Sequence, residues 1–369
     1  MKGWPVSDQP AAPERRPGVQ PGHRSRLLRI TVVLTVIMAA LVVGGVVLGQ
    51  LAKNPVSGAS SSSHGTQSSS KQSPDATSAA DSSAASSSAG STATAVNPTL
   101  FAQGACMSFP PTSGDRHITV FLDAGHGGLD PGGVGETESG QQVEESDVNL
   151  SIELDTMATL RAQGFRVVVS RTGNTTVHKL GAGDTDGQEL SLQGSLDDVA
   201  ARDVCANMAD ADLLVGIYMD AGVSPQNAGS VTTYDTDRPF SAESLAFATL
   251  LQDDVLSAMN AQGWAIPNDG VVSDASEGSL AGNPADGGLA AQAADYDHLL
   301  LLGPAEAGYF TTPSQMAGAV IEPLFLTDPY EGSLAASAGD QAVIAQGIAG
   351  AIEQYFAPAS ATSPTTMAG

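Results

Sequence analysis

An α/β domain built on a mostly parallel sheet is the fold class that the sequence predicts for the region from about residue 115 to residue 357. Two observations carry the prediction. Short runs rich in Val, Ile and Leu alternate with longer segments whose apolar residues recur at helical spacing, the order expected of a sheet wound with crossover helices. Composition also changes sharply along the chain, and only this region has enough apolar residues to bury a core.

Taken in order, ITVFL (118–122) is the first strand of this region, and a glycine-rich loop, LDAGHGGLDPGG (122–133), follows it. A helix comes next, with Leu150, Leu154, Met157 and Leu160 at near-helical spacing and Gly164 as its stop. FRVVVS (165–170) is the second strand. Residues 190–212 contain a helix that leads into a third strand, LLVGIYM (213–219). GSVTTYDT (229–236) is a fourth strand, followed by a helix from Ser244 with Leu245, Leu251, Val255 and Met259 on roughly one side. Residues 262–316 are rich in Gly, Ala and Asp and hold at least one further strand, around LLLLG (299–303). AGAVIEPLFL (317–326) has the pattern of a buried strand, and the last helix carries Ile344, Ile348, Ile352 and Phe356.

The chain ahead of the domain divides in three. Residues 1–29 form a basic, proline-containing segment. Residues 30–49, ITVVLTVIMAALVVGGVVLG, contain no charge and suffice as a helix to cross a bilayer. The basic flank orients the N-terminus to the cytoplasm, and the length of the run favours an uncleaved anchor over a cleaved signal. With either, the remainder is exported. Residues 50–103, mostly Ser, Ala, Thr and Gly, read as a disordered tether, 104–358 as the folded domain, and 359–369 as a disordered tail.

Of the 15 basic and 40 acidic residues, seven and two precede residue 54, which leaves 8 against 38 and a net charge of −30 beyond that point. Such a surface argues against nucleic acid and anionic lipid as partners of the exported part. Cys106 and Cys205 are the only cysteines. In an exported domain they either pair or serve as two small buried residues, and the sequence leaves both readings open. No repeat of a wall-binding type is present, so targeting rests on anchor and tether.

Ligands of open parallel sheets bind at the carboxyl ends of the strands. His126 lies just past the first strand, Glu145 opens the following helix, Tyr218 and Asp220 end LLVGIYMD, and Glu322 sits within the apolar AGAVIEPLFL. A carboxylate in such a strand is costly unless it is paired or binds metal. One histidine and glutamates converging at strand ends suit a catalytic zinc, which takes three protein ligands and activates a water for hydrolysis. The alternative is a histidine that merely occupies a turn, with Glu322 paired to Arg171 or Arg202.

FLDAGHGGLDPGGVG (121–135), EESDVNL (144–150), VVVSR (167–171), Arg202 through ANMADADLLVGIY (206–218), GSVTTY (229–234) and VIEPLFLTDPYE (320–331) occur in this order. Together they resemble the blocks of the zinc-dependent N-acetylmuramoyl-L-alanine amidases of the family 3 type, over about residues 117–357. The resemblance implies a three-layer α/β domain that hydrolyses the amide between muramic acid and the first L-alanine of the peptidoglycan stem peptide. It implies His126 and Glu145 as zinc ligands and Glu322 as the catalytic glutamate, with structural roles for Arg171 and Arg202. It also implies peptidoglycan as partner, and an exported domain tethered beside the wall fits that substrate.

The chain departs from this pattern at one position. Where the family has the histidine that completes the zinc site, this sequence has Tyr218, and no histidine lies within thirty residues on either side. A phenol with an ordinary pKa of about 10 is a poor ligand at neutral pH. Asp220, two residues further along, is roughly 6–7 Å away by strand rise. His298, in DYDHLLLLG, is a remote substitute that otherwise reads as a surface residue before a strand, and His117 and His178 read as exposed. Two functions therefore stand side by side: a working amidase with an altered metal site, and a degenerate amidase-like domain that binds peptidoglycan or a wall-enzyme partner without cutting.

Overall fold

The structure, a computed structural model, describes residues 93–274, 298–307 and 310–358. The basic segment, the expected span at 30–49, the tether up to residue 92 and the tail from 359 lie outside the described residues. No helix among the described residues is long and apolar enough to cross a membrane.

The strands are β1 (Thr94–Ala95), β2 (Ala105–Phe109), β3 (Thr119–Ala124), β4 (Val134–Glu136), β5 (Gln142–Glu144), β6 (Arg166–Arg171), β7 (Thr185–Asp186), β8 (Glu189–Leu190), β9 (Leu213–Ile217), β10 (Ser230–Tyr234), β11 (Asn268–Ser273) and β12 (Gly318–Glu322). The helices are α1 (Glu145–Ala162), α2 (Leu192–Met208), α3 (Ser241–Ala261), α4 (Pro329–Ala335) and α5 (Ala338–Tyr355). Eight strands form one sheet in the order β1-β2-β6-β3-β9-β12-β10-β11, and β4-β5 and β7-β8 are separate two-stranded ribbons.

The sheet is mixed. Its inner strands β6, β3, β9 and β12 are parallel, as the βα alternation predicts. The margins are not: β2 runs antiparallel to β6, and β10 runs antiparallel to β12, carrying its parallel partner β11 with it. The fold also begins earlier than residue 104, because Thr94 and Ala95 pair with Ser108 and Met107, and Phe101 is buried.

Because side chains alternate across a strand, the sheet feeds two cores. Val120, Leu122, Val169, Val215, Ile217 and Ile321 pack with α1, α3 and α5. Phe121, Val168, Leu214 and Val320 pack on the other side with Cys205 and Ala206 of α2 and with Leu301 and Leu302. The apolar run at 299–303 is therefore not a strand. It folds as a turn, closed by Gly303 N–H donating to Leu299 O at 2.8 Å, and its burial comes from capping the second core rather than from pairing.

Helix α1 also differs from its expected face. Leu150, Leu154 and Met157 lie off the fully buried stripe, which runs through Val148, Asn149, Ile152, Glu153, Thr156 and Leu160. Three polar residues on that stripe face the site end of the sheet, and Glu153 is completely buried. Its Oε1 accepts bonds from Ala124 N, Ser170 N and Ser170 Oγ, each at 3.1 Å, and so ties α1 to β3 and β6. Burial pushes its carboxyl up to about 8, against the opposing pull of Arg171.

The two cysteines pair. Cys106 of β2 and Cys205 of α2 are disulfide-bonded across 99 residues of sequence, with Cα atoms 5.7 Å apart. In the chain-entropy account, closing a loop of ~100 residues is worth about 4–5 kcal/mol. Replacing both cysteines with Ala is expected to cost about 2–5 kcal/mol in denaturant unfolding, and an unchanged midpoint would show that the cross-link adds nothing.

Glu153 supplies a second test. Below about pH 4.5 its carboxyl is neutral folded and unfolded, so it does not alter stability; above that, only the unfolded chain loses the proton. Stability is then expected to fall by up to about 1.4 kcal/mol per pH unit until the folded carboxyl ionises near pH 8. Glu153→Gln keeps an acceptor and removes the titration. Unfolding curves at pH 5 and pH 8 should converge for the variant relative to the parent, and equal slopes would mean that the folded side chain is already ionised.

Candidate metal and catalytic site

Strand β3 ends at Ala124, and the loop that follows doubles back over the carboxyl ends of β3 and β9. The turn is tight enough that His126 itself has a φ of 61°, and Gly127 and Gly128 continue with φ of 122° and 68°. Two buried arginines hold it. Arg202 donates to Ala124 O at 2.7 Å and His126 O at 2.8 Å, and Arg171 donates to Gly125 O at 3.1 Å and to Ser146 O. Neither arginine is placed on Glu322 by these bonds; both satisfy loop carbonyls, and Arg202 also pairs with Asp123 and Asp198.

The loop brings His126 and Glu145 together, with Nε2 and Oε2 3.3 Å apart and both residues buried. Glu145 opens α1, where Oε2 accepts from Gly133 N at 2.8 Å and Oε1 from Met219 N at 3.0 Å. On the far side of the imidazole, Asp130 Oδ2 lies 2.9 Å from Nδ1. Burial alone would lower the histidine's pKa, but the Glu145 and Asp130 carboxylates outweigh it and hold His126 well above its ordinary value. Burial acts to raise Glu145, and the His126 charge reverses this, leaving the carboxyl below its usual range. Gly132 makes the approach feasible. Its φ is +69°, and a Cβ there would stand 2.6 Å from His126 Cδ2 and 2.7 Å from Glu145 Oε2.

Tyr218, one residue past β9, packs edge-on against His126 with ring centroids 5.5 Å apart. Its hydroxyl donates to Asp123 Oδ2 at 3.0 Å. Burial first, and then the Asp123 charge, push the phenol well above 10, so it stays protonated. Glu322 is the last residue of β12, immediately after Ile321, which pairs with Ile217 of β9. It is half-buried at the strand end rather than enclosed in the strand. Asp220 bridges to Phe325 through the backbone, with its N–H donating to Leu324 O at 2.9 Å.

His298 is not part of this site. Antiparallel β10 carries the chain from Val231, opposite Glu322, to the other end of the sheet, where His298 lies beside Asp235 and Asp274. It is largely buried and precedes a turn, so the surface reading fails as well as the substitute-ligand reading. His178 is partly buried, 3.1 Å from Asp184, and His117 is exposed. Sequence reasoning missed Asp123 and Asp130, both within LDAGHGGLDPGG. For Asp130 a signal was available: a carboxylate four residues from a histidine in a tight loop can fix a ligand's tautomer.

The donor set fits a zinc ion in part. Two atoms bonded to one tetrahedral ion at about 2.0–2.2 Å stand about 3.3 Å apart, which is the His126–Glu145 separation. Asp130 occupies Nδ1, which leaves Nε2 as the nitrogen facing Glu145. At the third position the Tyr218 hydroxyl is committed to Asp123. A groove of about 530 Å³ runs between the β4-β5 ribbon and the 222–225 loop, lined in part by Val134, Gln142, Val223 and Thr327.

Residues 120–354, more than half of the chain, match the protein family described as N-acetylmuramoyl-L-alanine amidase. The chain is 32% identical over 118 residues to N-acetylmuramoyl-L-alanine amidase LytC of Bacillus subtilis (strain 168), covering 32% of this chain and 19% of that protein. It is 30% identical over 119 residues to uncharacterized protein YqiI of the same organism, covering 32% of this chain and 45% of that protein. The matched stretch thus spans less than half the length of these relatives. Among solved structures, the CwlD amidase from Clostridioides difficile in complex with the GerS lipoprotein superposes with a TM-score of 0.47 at 20% identity, covering 64% of this chain and 98% of that one.

Gly132→Ala is expected to destabilise the domain by about 1–3 kcal/mol more than Gly140→Ala, which shares the positive φ but meets nothing within 4 Å. Comparable losses for the two in chemical denaturation would mean that the loop does not press on the His126–Glu145 pair.

Proposed function

The chain belongs to the N-acetylmuramoyl-L-alanine amidase family, and from that membership we propose that it hydrolyses the amide between N-acetylmuramic acid and the L-alanine of the peptidoglycan stem peptide. The observation that carries this reading is the buried His126–Glu145 pair at the carboxyl edge of the parallel strands, 3.3 Å between donor atoms. In this reading His126 Nε2 and Glu145 Oε2 hold zinc, and zinc supplies a Lewis acid that lowers the pKa of a water. Glu322, at the neighbouring strand end, takes the proton of the attacking water and passes it to the leaving amine. Asp130 keeps His126 in the coordinating tautomer, and Tyr218 donates a hydrogen bond rather than coordinating. The groove beside Val134 and Val223 receives the peptide.

The setting follows from the same reading. Residues 30–49 anchor the chain in the cell membrane with the N-terminus in the cytoplasm, and the Ser-rich tether gives the domain reach into the wall. The disulfide suits an oxidising exterior.

One observation favours a second reading, a domain that binds peptidoglycan without cutting. The Tyr218 hydroxyl is held by Asp123 and stays protonated, so that among the described residues the His126–Glu145 pair lacks a third donor at the family's position. Two ligands hold zinc weakly.

The readings separate on release of stem peptides from purified peptidoglycan. An active enzyme releases them, and His126→Ala or Glu322→Gln each reduces the rate by about a hundredfold or more. An inert parent that gains zinc and activity with Tyr218→His would establish the non-cutting reading. Loss of activity in that variant would mean that the tyrosine belongs to a working site.

A further inference from the structure

At the end of the sheet remote from His126, three side chains converge from three separate segments. Asp235 follows β10, Asp274 follows β11, and His298 comes from the segment that leads into the 299–303 turn. Both carboxylates are buried. His298 Nδ1 lies 3.0 Å from Asp235 Oδ2 and 3.2 Å from Asp274 Oδ2, and the far ring nitrogen, Nε2, lies 3.6 Å from Asp237 Oδ2. The amidase reaction has no use for these groups, because four residues of β10 and its end, roughly 13 Å by strand rise, separate Asp235 from the Glu322 register.

An ordinary ion pair does not account for this geometry. Nδ1 can carry one proton, and its hydrogen bond runs to Asp274. Asp235 Oδ2 is shielded from solvent, aimed at the same point, and accepts no hydrogen bond, whereas its Oδ1 accepts from Asp237 N at 2.6 Å. A buried anionic oxygen without a donor is costly. Arg238, three residues on, does not relieve it: the guanidinium donates to the carbonyls of Leu302, Gly303 and Ser314. The three donor atoms all lie within 4.8 Å of one another. Separations of 3.0 and 3.2 Å are slightly shorter than the about 3.3 Å between donors sharing one tetrahedral ion, so a small outward shift of the carboxylates would admit it.

We propose that Asp235, Asp274 and His298 form a structural binding site for a divalent transition-metal ion of the zinc class. Two carboxylates and one neutral imidazole neutralise a doubly charged ion, and the nitrogen donor selects against calcium and magnesium. Asp237 Oδ2, 3.6 Å from Nε2, biases the imidazole towards the tautomer with its proton on Nε2 and its lone pair on Nδ1. The ion would pin the outer strands β10 and β11 to the turn that carries Leu301 and Leu302 into the second core. Its role is independent of the chemistry proposed at His126.

The test uses the full-length chain, stripped with chelator and titrated with zinc chloride alone, followed by calorimetry and thermal melting. The parent and His126→Ala are each expected to take up one zinc equivalent at this site and to melt higher with zinc; Asp274→Asn and His298→Ala should weaken that equivalent at least tenfold and lose the shift. Asp237→Asn is expected to weaken it about 10–100-fold. Calcium chloride should give no shift. If Asp274→Asn does not fold, the exposed position of Asp237 leaves that variant to decide. The proposal is overturned if His126→Ala binds no zinc, or if Asp274→Asn and His298→Ala retain the parent's full affinity.

Discussion

A guanidinium with no access to solvent organises this domain. Arg202 binds two carboxylates, Asp123 and Asp198, and two carbonyls, Ala124 and His126, with one planar group. Burial opposes its charge, and the two carboxylates more than reverse that, so it stays ionised. The consequences reach the site by two routes. Through the His126 carbonyl it fixes a loop that turns in an uncommon backbone conformation, and through Asp123 it fixes the acceptor that holds the Tyr218 hydroxyl. Arg171 adds bonds to carbonyls of the same turn, Ala124 and Gly125, without a carboxylate of its own. Removing one of these buried partners would leave charges uncompensated, a far larger loss than the net worth of the pair.

The arrangement also explains how a strongly acidic domain places carboxylates beside one another. Asp123, Glu145 and Glu153 are all buried near the carboxyl end of β3, and each is handled differently. Asp123 faces Arg202, Glu145 faces the His126 imidazole, and Glu153 is surrounded by backbone and hydroxyl donors and is raised far enough to keep its proton at neutral pH. Three neighbouring acids thus carry fewer than three charges.

The sequence showed much of this and hid a definable part. The inner strands were legible because a strand buried on both faces is a continuous apolar run, as in VFL, RVVV and LLVGI. The same signal misled at LLLLG, since four apolar residues are equally consistent with a turn pressed onto a core. The reversal of β10 left no mark, because period-two alternation has no direction. Helix α1 was found, but its buried stripe was mistaken, since Asn149 and Glu153 are there for hydrogen bonding rather than apolar packing. At the site, His126 and Glu145 could be named from the loop and the helix start, and Asp130 carried a signal in its spacing from His126, whereas Asp123, at the apolar end of β3, carried none. The pairing of Cys106 with Cys205 needed the fold itself, which brings strand β2 and helix α2 together around one core.

That cross-link divides the molecule in a way the sheet order conceals. The covalent ring from Cys106 to Cys205 encloses β3, the glycine loop, α1, β6 and α2, and therefore both His126 and Glu145. Tyr218, Glu322 and the strands β9 to β12 lie outside it. The site is consequently a seam between a cyclised half and a linear one. Sub-global opening that releases the linear half would separate Tyr218 and Glu322 from the donor pair while the ring holds that pair in register. The groups expected to bind metal and the glutamate expected to act on the water thus lie on opposite sides of the covalent ring's boundary.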